Sequence, residues 1–175
     1  RGIARSVWAR VQGFAIKAGG IIVVTLVLVW LPMAVPARGT AAVGDDVPVE
    51  DSLYGAVAAS IAPAFAPAGF DDWRFSASLV TGFVAKEVAV GALAQSYAVA
   101  DESADGLGEH LRTTLDATSG GHGAAAALAY MVFVLGYAPC LATASELWRR
   151  FGGSWTLRMV ALQLSVAWLA AVAVI

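Results

Sequence analysis

One cysteine, Cys140, stands among 175 residues, so no disulfide can close within the chain. Charge is equally scarce. Asp, Glu, Lys and Arg make up 14% of the sequence, against roughly 25% in a soluble domain. So little polar surface could not cover a globule in water. Net charge is −2, and no basic run suits a nucleic acid, so no nucleic-acid partner is expected. The sequence has no Gly-x-x-x-x-Gly-Lys-Ser/Thr phosphate loop, no HExxH and no nucleophile elbow, so this chain is not expected to be an enzyme. Residue 1 is Arg, and no signal peptide precedes the first apolar run, which reads as a cut from a longer parent.

What is present is apolar: 59% hydrophobic residues and a mean hydropathy of +0.72. The expected class is an all-α integral membrane protein, a polytopic bundle of four to five crossings with a Pro-broken helix. Apolar segments fall at 14–35, 75–100, 124–144 and 155–175. Each is about 20 residues long, enough for a hydrocarbon core of ~30 Å, and backbone groups in lipid must bond within helices. A further segment, 52–70, is apolar but carries Pro63 and Pro67, and reads as a crossing, a re-entrant segment or an interfacial helix. The stretches 37–51 and 101–123 read as polar loops; the second carries His110 and His122 among acidic residues, at no defined metal-site spacing. Arg1, Arg5, Arg10 and Lys17 place the N-terminal end in the cytoplasm, and Arg149, Arg150 and Arg158 favour the same side. That agreement needs an even number of crossings between the two clusters, which favours five in all. Trp8, Trp30, Trp73, Trp148 and Trp155 fall near segment ends, as interfacial Trp does.

Within 75–100, Ser78, Gly82, Ala85, Ala89, Ala92 and Ser96 share a narrow stripe at ~100° per residue. Small residues so spaced let a second helix approach closely, and packing is the plain reading. Lys86 and Glu87 sit at the centre of the run, where a charge costs ~2.5–3.5 kcal/mol on insertion scales. Adjacent helical residues point ~100° apart, so each needs its own partner; Glu87 lies opposite the stripe, towards Val80 and Gly91. Either they form structural ion pairs with other helices or they line a substrate or ion path.

A second site is Gly136-Tyr137-Ala138-Pro139-Cys140-Leu141-Ala142-Thr143. Pro139 has no N–H, so the carbonyl of Leu135 loses its helical partner. Transporters place binding sites at helices interrupted in this way. Cys140 falls at the break, with Tyr137 and Thr143 at helical spacing. A thiolate suits a soft transition metal and a carbonyl a harder ion; a lone membrane Cys also serves as a small packing residue.

Gly69-Phe70-Asp71-Asp72-Trp73-Arg74, the run LVTGFVAKEVAVG at 79–91 and the run VFVLGYAPCLAT at 132–143 together resemble the membrane domain of the ferrous iron transport protein B (FeoB) family. Weaker support comes from FAIKAG at 14–19 and from Trp155, Gln163 and Trp168. The resemblance covers most of Trp8–Ala171 apart from the polar loops. It implies the C-terminal half of a permease domain, carrying the second of two related gate motifs, a pattern shared more loosely with nucleoside-transporter-like domains. It implies Fe2+ as transported substrate at the bacterial cytoplasmic (inner) membrane. The first gate motif, a spacer and a GTP-binding domain would lie upstream, with GTP and Mg2+ bound only there. Implied partners are the lipid bilayer, the upstream half, the GTP-binding domain and small accessory proteins of the ferrous iron system. By this resemblance Cys140 is the gate cysteine, and Lys86 and Glu87 are the charged pair of the second motif. Cys140, the oxygen near Leu135 and Glu87 would replace water on Fe2+, while Lys86, paired to a carboxylate, would set the gate. Gly20, where Thr is common, and Ala89 and Ala92, replacing a larger Val and a Thr, depart from the family at packing positions. The alternatives are a similar gate carrying a nucleoside or other organic solute, and a scaffold that docks partners through the small-residue stripe.

Overall fold

The computed structural model describes residues 7–8, 11–13, 19–20, 23–24, 27, 30–37, 48–84, 86–97 and 104–175. The side chains of Val84, Glu87, Val88, Val90, Gln95, residues 104–106 and Ala142 lie outside that set. Most of the apolar segment 14–35, Ala85 of the stripe and most of the loop 37–51 fall outside the described residues as well. What is described is helical throughout, apart from turns and a single bridge between Pro36 and Ser52.

Helix α1 (Leu53–Ile61) starts where Ser52 Oγ accepts the N–H of Gly55 at 3.1 Å, an N-cap. It tightens into a 3-10 helix over Ala62–Ala68, where Pro63 and Pro67 withhold backbone donors. Gly69, left-handed at φ 74°, ends it. The chain then bends by 105° into α2 (Trp73–Val84), whose first turn is capped by Asp72 Oδ1, accepting the Arg74 N–H at 2.8 Å. Tyr54 of α1 ties the two helices by donating to the carbonyl of Ala77.

The run 75–100, expected to be one crossing, is a helical hairpin. Helix α3 (Lys86–Tyr97) folds back along α2. A Cβ placed on Gly82 would lie 2.8 Å from the Cβ of Ala89, whereas a straight helix would separate these residues by ~10 Å along its axis. At the open end the Arg74 guanidinium stands 5.1 Å from the Tyr97 ring centroid, a pair that a straight helix would hold ~35 Å apart. The small residues thus serve a close approach within the run itself. A hairpin also returns the chain towards the level it left, so this run does not count as a single crossing in the charge argument.

Residues 101–123, expected to be a loop, contain α4 (Ala104–Thr118). Leu107, Leu111 and Leu115 recur every fourth residue, and Leu115 is buried against α5. Glu109 and Arg112 take the exposed face. Gly120 and Gly121 turn the chain at positive φ into α5 (Gly123–Gly136), bent 99° from α4. Asp116 Oδ1 accepts the Gly123 N–H at 2.9 Å and so caps α5 from the preceding helix. Asp116→Ala is expected to cost about 1 kcal/mol, read as a roughly five-fold faster hydrogen exchange at the Gly123 amide.

The apolar segment 124–144 is broken at Pro139, as the sequence led to expect. Helix α5 ends at Gly136, and α6 (Leu141–Phe151) begins after four intervening residues. Pro139 disfavours helical backbone at Ala138. After Gly152, α7 (Gly153–Val172) runs 20 residues, or ~30 Å, and packs on α5, where a Cβ on Gly136 would lie 3.2 Å from that of Ala167. Among the described residues α7 is the one helix long and apolar enough to cross a membrane by itself; two bent pairs, Leu53–Ala68 with Trp73–Phe83 and Leu107–Thr118 with Gly123–Gly136, reach that length only jointly. Trp168 Nε1 donates to Ala64 O at 2.9 Å and anchors α7 to the 3-10 segment. An aromatic cluster of Phe65, Phe70, Phe75, Tyr130 and Phe133 fills the centre, around α5.

Candidate functional site

The two sequence motifs meet where α5 breaks. Lys86, first residue of α3, donates from Nζ to the carbonyl of Leu135 at 3.0 Å. That is the carbonyl deprived of its helical donor by Pro139. Nζ also stands 5.4 Å from the Tyr137 ring centroid, in cation–π range. Among the described side chains its partner is therefore a carbonyl and a ring, where the sequence led to expect a carboxylate. None of the described ion pairs includes Lys86. The backbone of Glu87 follows in α3, but its side chain lies outside the described set.

Tyr137 is buried and held from two sides. Its Oη donates to Leu79 O at 3.0 Å, and its ring stacks on Phe133 with centroids 5.4 Å apart. One helical repeat earlier on α5, Tyr130 donates to Ser78 Oγ at 2.6 Å, since the Ser78 hydroxyl is itself given to Phe75 O. Tyr130 and Tyr137 lie seven residues apart, on the same face, and both fasten α2. Tyr130 was not singled out in the sequence, although its spacing from Tyr137 was the available signal. Gly82 comes to the same place: a Cβ there would lie 3.0 Å from Tyr137 Oη. Ala89 is buried, while Ala92 and Ser96 are half-buried. The hydroxyl of Ser96 is donated to Leu93 O at 2.7 Å.

Cys140 occupies the N-cap position of α6 in extended conformation (φ −60°, ψ 158°). Its Sγ lies 3.3 Å from Thr143 Oγ1, so Cys140 and Thr143 form one polar pair at the break. The thiol is partly buried and the threonine exposed. Along the chain, the carbonyl of Leu135, the ring of Tyr137, Pro139, the thiol of Cys140 and the hydroxyl of Thr143 succeed one another within nine residues. This mixture of soft sulfur and hard oxygen suits a borderline divalent ion. Among the described residues no three His, Cys, Asp or Glu gather as a metal cluster. The two histidines are apart: His110 stacks on Tyr97, and His122 Nδ1 lies 3.2 Å from Ser119 O. A cavity of about 490 Å³ between the 3-10 segment, α5 and α7 is lined by Phe65, Phe133, Leu164 and Trp168 and is apolar, so it offers an ion little.

The Gate family model, described as nucleoside recognition, matches residues 15–154 and so takes in both motifs. The chain belongs to the Gate family. Curated relatives extend the match. A protein of Methanocaldococcus jannaschii named Fe(2+) transporter FeoB is 31% identical over 98% of this chain and 25% of its own length. The Fe(2+) transporter FeoB of Staphylococcus aureus (strain COL) is 31% identical over 94% of the chain and 23% of its own length. A Porphyromonas gingivalis protein named Fe(2+) transport protein A/Fe(2+) transporter FeoB fusion protein is 40% identical over 69% of the chain and 15% of its own length. The Gate chain thus spans a quarter or less of these relatives. The FeoB resemblance carried by the motifs at 79–91 and 132–143 is matched by them. No solved structure matches. The chain is a membrane domain, helical among the described residues, and the relatives it matches are named as transporters.

Proposed function

We propose that this chain is the membrane permease part of a GTP-dependent Fe(II) importer of the bacterial cytoplasmic membrane, multi-pass. The single observation that carries the reading is the similarity, across nearly the whole chain, to proteins named Fe(2+) transporter FeoB. The Pro139 break supports it physically. A helix interrupted inside a membrane domain presents carbonyl oxygen and side-chain ligands without paying for lipid-exposed backbone. Hydrated Fe(II) sheds water there against the Cys140 thiolate, the oxygen of Leu135 and the carboxylate of Glu87. A first gate motif and the GTP-binding domain, with its Mg2+, lie in the upstream part of the parent and complete the path. Accessory proteins belong to the same system, consistent with the fusion partner named in the Porphyromonas gingivalis relative.

The test is Fe(II) uptake by the full-length parent in cells lacking other ferrous importers. Cys140→Ser is expected to lower uptake at least ten-fold at equal protein level, because a hydroxyl is a poorer ligand than a thiolate for this ion. Unchanged uptake would return Cys140 to a packing role. The family description of nucleoside recognition motivates a second reading, an organic solute as cargo. Uptake of a labelled nucleoside that Fe(II) leaves unaffected, with no iron uptake by the wild type, would establish that reading instead.

A further inference from the structure

Lys86 of α3 donates from its ammonium across to Leu135 O, 49 residues on in sequence, at 3.0 Å. The acceptor is particular. Leu135 lies in the last turn of α5, where unsatisfied carbonyls carry partial negative charge, and its regular donor is replaced by Pro139. A fixed aromatic face stands beside it. Nζ is 5.4 Å from the centroid of Tyr137, and that ring is pinned by the bond to Leu79 O and by Phe133. A freed carbonyl and a ring face are both cation-binding groups, and here a cation of the chain itself fills them.

We propose that Lys86 is a tethered cation: its ammonium holds the Leu135 carbonyl in this conformation, and a transported divalent cation reaches that oxygen only once the ammonium has left. The inference rests on the iron transport reading above and adds to it the group that keeps the path shut. Ammonium and Fe(II) need the same oxygen and, as like charges, repel one another at contact distance. Occupation by one therefore excludes the other.

The experiment separates charge from hydrogen bonding. The full-length parent is reconstituted in liposomes, and anaerobic Fe(II) entry is followed with and without GTP for wild type, Lys86→Gln, Lys86→Met and Lys86→Arg. Gln keeps an N–H donor for Leu135 O without charge, Met keeps neither, and Arg keeps both. The expected result is GTP-independent entry raised at least ten-fold in the Gln and Met variants, with the Arg variant still closed without GTP. A lysine that merely caps α5 gives a different pattern: the Gln variant stays as tight as wild type, and the Met variant loses folded protein without leaking. That pattern overturns the proposal. Should the Met variant fail to fold, the comparison of Gln with Arg decides. Wild type that shows no GTP-driven Fe(II) entry defeats the iron reading and this inference together. Normal wild-type uptake beside a tight Gln variant defeats this inference alone.

Discussion

Gly82→Leu is expected to prevent folded protein from accumulating in the membrane, and the milder Gly82→Ala to be rescued by Ala89→Gly. A Cβ at position 82 meets Ala89 Cβ at 2.8 Å and Tyr137 Oη at 3.0 Å. Ala89 is a short side chain, buried and unable to rotate away. Tyr137 can move only by giving up its bond to Leu79 O, which is worth about 0.5–1.5 kcal/mol. Overpacking at such a site costs about 1–3 kcal/mol. Alanine recovers roughly 0.8–1.0 kcal/mol of that through better helix propensity than glycine. With both neighbours fixed we expect the upper end of the cost, hence a net loss of about 1–2 kcal/mol for Gly82→Ala. Leucine adds three more carbons to the same space. Removing the Ala89 methyl restores room, so the double variant should regain at least half of the loss in thermal unfolding of the purified full-length parent. Coupling below about 0.5 kcal/mol would mean independent sites. The hairpin geometry of α2 and α3 would then be wrong, because a straight helix keeps these residues from touching.

Phe70→Ala carries the other large effect. The ring is fully buried, stacked on Phe65 at 5.0 Å and set edge-on to Tyr130 at 5.5 Å, with Phe133 at 6.1 Å. It sits just after the Gly69 turn, so it locks the bend between the 3-10 segment and α2 onto α5. Truncating such a ring costs about 3–5 kcal/mol, the lost contacts and the cavity together. Phe70→Leu keeps most of the volume and should lose less than about half of that. Unfolding midpoints of the two variants in the same detergent check the order. A Phe70→Ala loss below about 1 kcal/mol would show that the aromatic cluster is not the core of the domain.

The gate region shows how far local reasoning reaches. That Pro139 frees the carbonyl of Leu135 follows from covalent structure and the four-residue helical bond, and needs no fold. The identity of the group that answers it does not follow. Lys86 lies 49 residues away in sequence, and charge placement said only that it required a partner. A carboxylate was the natural expectation, since opposite charges attract over the longest range. Among the described residues the answering group is a carbonyl, because α5 ends beside Lys86, and a helix C-terminus is itself a source of negative potential. Helix α4 was missed for another reason. Its every-fourth-residue leucines were on view, but its acids and glycines weighed towards a loop, and an amphipathic helix needs a neighbour to bury its stripe. The neighbour, α5, is supplied only by the turn at Gly120 and Gly121.

By itself the sequence determined what depends on composition, on local covalent constraint and on period: a helical membrane protein, a break at Pro139, a free carbonyl at Leu135 and a stripe of small residues. Tertiary structure alone decided which surfaces meet. The stripe could have received a separate helix, yet Gly82 faces Ala89 of the same run; Lys86 could have sought an acid, yet among the described residues it meets the end of α5. Periodicity fixes which side of a helix a residue occupies. It carries no information about what lies opposite, because that depends on where the chain turns, and turns are settled by the packing of residues far apart in sequence.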